Sequence, residues 1–236
     1  MFDRLKKVFA RGAPQAQESM RDDLPPPPSV FAPVSEWAGT QGFGFLDQDK
    51  GHGFLLTGKV RGKSWKLECG ASSRDYIVGE ELRARAELGI HSDVSVLIMN
   101  RPLKESLEKR AYSMYTDSLQ TTANPGLPEE MRWLAMYPEV GWPGLVPEFW
   151  DRYTVLAERK EDAQAWIDSN LAELLLHWPQ PGFNPRTPFI LMMLRGKAYM
   201  RMQYIPGDIM TLQHAAVTYT SACDAALAGL PASPKR

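Results

Sequence analysis

The residue types able to carry chemistry are few in this chain, and their spacing is unhelpful to most chemistries. Cys69 and Cys223 are the two thiols, too far apart to suggest a disulfide framework. Cys69 paired with His177 or His214 would make a nucleophile and a base. Yet Cys69 shares the apolar phase of a strand with Trp65 and Leu67, which points to a buried, inert thiol. His52, His91, His177 and His214 share no i, i+4 helical face and no Cys-x-x-Cys spacing, so no metal is expected. Gly58 to Ser64 imitates a phosphate loop, but it has one residue too few between its glycines and continues as a strand. The helix N-terminus that would hold phosphate is therefore missing. Asp47-x-Asp49 opens like a calcium loop, with Gly51 where a third oxygen ligand belongs and no closing Glu. Ser72-Ser73-Arg74-Asp75 is polar without an identifiable base, and no nucleophile elbow occurs. No cofactor is expected on these grounds.

Gln41-Gly42-Phe43-Gly44-Phe45-Leu46 resembles the aromatic strand of cold-shock and RNA-recognition folds, where exposed rings stack on bases. Gln41 stands in place of the basic residue of that strand. Residues 36–70 hold five basic residues against four acidic, a poor phosphate footprint. The bland reading puts Phe43 and Phe45 in the core.

Two further features suggest binding. Trp133, Trp142 and Trp150 cluster with Tyr137 and Tyr153, while Met192, Met193, Met200 and Met202 cluster on a hairpin. Tryptophan is enriched at interface hot spots and methionine at adaptable surfaces, which makes Trp133, Trp142, Trp150, Met200 and Met202 the candidate interface. Core packing explains the same residues. At the N-terminus, Phe2, Leu5 and Phe9 form one helical stripe beside Lys6 and Lys7, suited to weak contact with an anionic membrane face. A frayed helix is the alternative.

The composition frames these candidates. The chain has 236 residues, with 44% apolar residues and 27 Lys and Arg against 28 Asp and Glu. That is a globular composition without the basic excess of a general nucleic-acid binder. No apolar run approaches the ~18 residues of a membrane span.

Four segments must position the candidates. Residues 1–35 read as a flexible basic and proline-rich tail, dispensable for folding, with six prolines between 13 and 35. Residues 36–100 read as a β-rich antiparallel half, from the period of two in Ser64 to Cys69 and Leu82 to Leu88 and from the glycine punctuation. Residues 101–150 form a helical connector: one helix from Pro102 to Thr121 on the stripe Leu103, Leu107, Ala111, one short helix from Pro128, then a loop over 137–147. Residues 151–230 read as β-α-β-β-α: a strand from Tyr153, a helix from Glu161 to Trp178, strands before and after Arg195-Gly196, and a last helix capped by Asp208. The fold class is α+β, with the second-half helices on one face of a three-stranded antiparallel sheet.

The function these readings favour is non-catalytic binding or scaffolding of another protein, or of a second copy, in the bacterial cytoplasm, with peripheral membrane contact through residues 1–12. The alternative is a small-molecule enzyme with a site in the cleft between the halves, using Arg74, Asp75, Arg132 and Arg152. A weak single-stranded nucleic-acid binder is the third.

Overall fold

Short alternating segments punctuated by glycine build the sheet, and the helices between them cover it. The computed structural model describes residues 30–48, 53–117, 129–180 and 183–234. The elements are α1 (Ala32–Thr40), β1 (Gly44–Gln48), β2 (Gly53–Val60), β3 (Lys63–Ala71), β4 (Glu80–Glu87), β5 (Ser95–Asn100), α2 (Arg101–Asp117), α3 (Glu129–Met136), β6 (Glu139–Val140), α4 (Pro147–Arg152), β7 (Tyr153–Ala157), α5 (Lys160–Trp166), α6 (Ser169–Leu176), β8 (Phe189–Leu194), β9 (Lys197–Tyr204) and α7 (Ile209–Gly229). The nine strands pair antiparallel in one sheet, in the order β1-β2-β3-β4-β9-β8-β5-β7-β6. The fold is α+β.

Strand patterns follow position in the sheet. In β9 every second residue, Ala198, Met200, Met202 and Tyr204, is buried. The runs in β5 and β7 are buried at every residue, as both faces there are covered. Two hairpins close with Arg-Gly pairs at positive φ, Arg61-Gly62 and Arg195-Gly196. Positive φ at both central residues is the condition for the tight turn that matches strand twist. A side chain at Gly196 would also meet the Ile90 carbonyl at 2.7 Å.

The helices divide between the two faces. One core joins Leu56, Leu67, Ala84, Met200, Leu191 and Ile98 to α1, α5, α6 and α7. The opposite core is smaller: Leu97, Met99, Ile190 and Met192 lie under Leu103 and Leu107 of α2 and Met131 and Trp133 of α3.

The expectations change in four places, and Phe43 and Phe45 follow the core reading. The strand β7 is not the neighbour of β8; β5, from the first half, lies between them. The second-half strands thus belong to the same sheet as the first, and not to a separate three-stranded layer. The helix expected from Glu161 to Trp178 is two, because Asp168 leaves helical geometry and its side chain accepts a bond from the Leu171 N–H, capping α6. The tail reading to residue 35 overlaps α1, whose Val34 and preceding Phe31 are buried. Proline at its second position suits a helix start, where no N–H is needed. The loop over 137–147 contains β6, and α4 follows it. Phe43 and Phe45 pack against the large core, so the rings that would stack on bases are engaged within the protein.

Candidate functional site

The loop between β3 and β4 is folded by its own hydroxyls. Ser72 Oγ accepts from the Arg74 N–H at 3.1 Å and donates to the Arg74 carbonyl at 2.6 Å. Such short-range bonds hold a turn in place of a ladder. The turn sends Arg74 toward α3, where its Nε donates to Glu130 Oε1 at 2.5 Å. Tyr76 donates to the same oxygen at 3.0 Å. Glu129, the preceding residue of α3, is 4.0 Å from Arg74.

A second buried carboxylate sits in β4. Glu81 accepts from Arg201 of β9 at 2.5 Å, and from the Ser73 N–H and hydroxyl at 2.9 and 3.0 Å. Arg201 also donates to Ser73 Oγ at 2.9 Å. In the strand register Arg201 stands opposite Arg83, so two cations face each other with Glu81 between, 3.8 Å from Arg83. Both carboxylates are 0% exposed. Removal from water costs several kcal/mol per ion, and it is the charged hydrogen bonds that offset this. Burial, and then Glu130, push the Tyr76 hydroxyl well above its ordinary range, which keeps it a donor. Burial works against the Arg74 charge, but the bond to Glu130 together with the charge of Glu130 and the neighbouring Tyr76 and Glu81 outweighs it, and the guanidinium is held even more firmly protonated.

Of these groups, Arg74, Glu129 and Arg201 border a cavity of ≈ 360 Å³ on the α3 side of the sheet. Four arginines line it: Arg74 from the β3–β4 loop, Arg132 from α3, Arg195 from the β8–β9 turn and Arg201 from β9. Its walls include Trp133, Tyr137, Met192 and Tyr199. Arg74 and Arg201 are committed to buried carboxylates. Arg132 and Arg195 are exposed and form no ion pair among the described residues. A wider hollow of ≈ 880 Å³ beside Phe43 and Trp65 is more open to solvent. Two of its cations already have partners: Lys66 lies 2.6 Å from Glu68, and Arg85 lies 2.7 Å from Glu87.

The candidate residues are distributed unevenly around this site. Arg74 and Arg132 line the cavity together. Asp75 is paired with Arg110 instead, and Arg152 donates to the Leu176 carbonyl at 2.7 Å, at the end of α6. Trp133 is a cavity wall, 7% exposed. Met200 and Met202 are 0% exposed within the large core and offer a partner no surface; they fill the packed side of β9. Trp142 and Trp150 form an edge-to-face pair at 5.0 Å, half-buried against that core. Phe2, Leu5, Lys6, Lys7 and Phe9 lie outside the described residues.

The thiol and imidazole candidates stay apart. Burial, and then Glu80, push the Cys69 thiol up to about 12. Burial likewise takes Cys223 up to about 12. His214 Nε2 bonds the Leu174 carbonyl at 2.7 Å, and His177 Nδ1 bonds the Glu173 carbonyl at 2.8 Å. Each ring nitrogen facing a carbonyl must be the N–H donor. Among the described residues no group of three or more His, Cys, Asp or Glu is placed to hold a metal ion. No described helix is long and apolar enough to cross a membrane.

Arg201, Glu81 and Glu130 had no signal in linear spacing. Arg195 had a weak one: arginine at the first position of an Arg-Gly hairpin is an unusual residue for positive φ. Glu81 and Arg201 become visible once β4 is known to pair with β9, and Glu130 once the β3–β4 loop is known to meet α3.

No family model matches this chain, and no curated protein matches it. Among solved structures it is similar to the mycobacterial trehalose monomycolate transport factor A, TtfA, with 11% identity and a TM-score of 0.49, over 87% of this chain and 98% of that one. A likeness at that level carries no argument about function.

Proposed function

We propose that this protein is a non-catalytic binding protein whose arginine-lined cavity on the α3 side of the sheet takes a negatively charged ligand. One observation carries the reading: four guanidiniums border one cavity, two fixed by buried carboxylates and two with no ion pair among the described residues. Fixed cations provide a preorganised field, and uncommitted ones supply forked donors that match an oxyanion. Among the lining residues Glu129 is the one carboxylate, and it lies near Arg74, with no histidine or cysteine beside it. That set suits holding an anion better than moving a proton, which favours binding over the enzyme alternative.

Thermal unfolding in a series of anions tests this, with Arg132→Glu/Arg195→Glu as the control for general salt effects. The expected result is a saturable rise in midpoint for the parent protein and its loss in the variant. Equal rises in both proteins for every anion tried would end the proposal.

A further inference from the structure

The same cavity carries information about which anion it fits, and this inference rests on the reading above. Charge is counted first. The lining cations are Arg74, Arg132, Arg195 and Arg201, and the carboxylates within reach of Arg74 and Arg201 are Glu81, Glu129 and Glu130, so cations exceed carboxylates by one. Arg83 is not among the cations that line the cavity; it lies 3.8 Å from Glu81 and 4.0 Å from Glu68. A monoanion neutralises the excess. A dianion would place surplus negative charge close to two carboxylates that have no water to screen them.

The walls make a second demand. Trp133, Met136, Tyr137, Met192, Leu194 and Tyr199 present aromatic and aliphatic surface beside the arginines. A small hydrated inorganic ion would leave that surface facing water. A ligand with an apolar body would cover it, and ≈ 360 Å³ lies near the lower end of the ~300–1,000 Å³ typical of ligand pockets.

The third observation is the use of Arg195. Both Arg-Gly hairpins hold an arginine at positive φ, where Asn, Asp or Gly is the less strained residue. Arg61, in the β2–β3 turn, makes a two-pronged bridge to Asp224 of α7, at 2.5 and 2.9 Å. Arg195, in the β8–β9 turn, holds the same kind of backbone position, has no carboxylate partner among the described residues, and lines the cavity. Its fork is the free counterpart of the one that Arg61 has filled.

From these we infer that the cavity binds a small amphipathic carboxylic acid, a monoanion with a flat apolar body, whose carboxylate is taken by Arg132 and Arg195 and whose body lies against Trp133, Tyr137 and Tyr199. Isothermal titration of the full chain with 2-naphthoate, its neutral analogue 2-naphthamide, and inorganic phosphate tests it. The expected order is 2-naphthoate tightest, with the amide and phosphate each at least ~10-fold weaker, as loss of a charge-assisted fork or of the apolar contact requires. Arg132→Ala/Arg195→Ala should weaken 2-naphthoate at least ~10-fold while unfolding at the parent temperature, both side chains being exposed. Phosphate binding as tightly as 2-naphthoate would overturn this inference and leave the anion-binding reading standing. The amide binding as tightly as the acid, or no binding of any of the three, would overturn both.

Discussion

Glu129 and Glu130 are consecutive on α3 and face opposite demands. Glu129 is exposed and 4.0 Å from its cation; Glu130 is 0% exposed and bonded at 2.5 Å to Arg74 and 3.0 Å to Tyr76. Removing one partner of a buried pair strands the other, which is the expensive way to break such a contact. Glu130→Ala is therefore expected to cost ~3 kcal/mol, at the low end for such pairs because Arg74 retains some access to water. Glu129→Ala should stay within ~0.5 kcal/mol. Urea unfolding of the two variants checks this, and equal losses would contradict the assignment of the buried carboxylate. Adjacent identical residues cannot be told apart by type, so Glu130 was not legible in the sequence. Arg74 and Arg132 were legible as candidates, but as loose polar residues in a cleft. The two pairs that fix cations at the cavity span 56 residues, Arg74 to Glu130, and 120 residues, Arg201 to Glu81.

Element by element, periodicity read well wherever one face alone is covered. The strands β3, β4 and β9 and the helices α2 and α7 appear close to where alternation and capping residues placed them. It read poorly where a local polar residue interrupts an apolar stripe. Asp168 splits the expected long helix yet leaves Ala163, Ile167, Leu171 and Leu175 buried on one side. The face survives the break, so Leu171→Ala is expected to cost ~2–5 kcal/mol as a buried large-to-small change. Glu173→Ala, exposed on the same helix, should lie within ~0.5 kcal/mol. Similar losses at both positions would mean the face is misassigned. The same helix docks on α7 through His214, whose ring bonds the Leu174 carbonyl at 2.7 Å. Burial holds His214 below its ordinary value, with His177 acting in the same direction and the Leu174 bond against. The unfolded chain thus takes up the proton first as pH falls. Stability from this site is complete above about pH 6.5 and is lost as pH drops below it. His214→Gln, which keeps a donor without a titration, should flatten that part of the stability profile measured by urea midpoints. An unchanged slope as pH falls below about 6.5 would assign the effect elsewhere.

At the scale of the whole molecule, the first and last parts of the described chain depend on each other. Phe31 packs edge-on against Phe54 at 5.1 Å, and Val34 is buried in the same core. A chain beginning at Ser35 should therefore melt at least ~6 °C below one beginning at Val30, given ~3 kcal/mol or more for a lost buried Phe and 2–4 °C per kcal/mol at this size. Coincident melting curves would place Phe31 outside the core.

The sheet order makes a stronger demand. β4 and β5 are consecutive in the chain but not neighbours: the β9–β8 hairpin stands between them, pairing with β4 on one side and β5 on the other. The β4–β5 connection is held to the hairpin turn as well, since the Leu88 and Gly89 N–H groups both donate to the Gly196 carbonyl at 3.1 Å. Without the hairpin, β4 would lose the partner of its Glu81 carboxylate, Arg201, and β5 would lose its pairing with β8. Unpaired strand edges and a stranded buried charge both oppose folding of the first half alone. We therefore expect residues 30–100, made as a separate chain, to show no cooperative unfolding. The whole protein should unfold in one step, with the same urea midpoint by far-ultraviolet circular dichroism and by tryptophan fluorescence. Two resolved transitions, or a cooperative transition in the 30–100 fragment, would show that β4 and β5 hold their places without the strands between them.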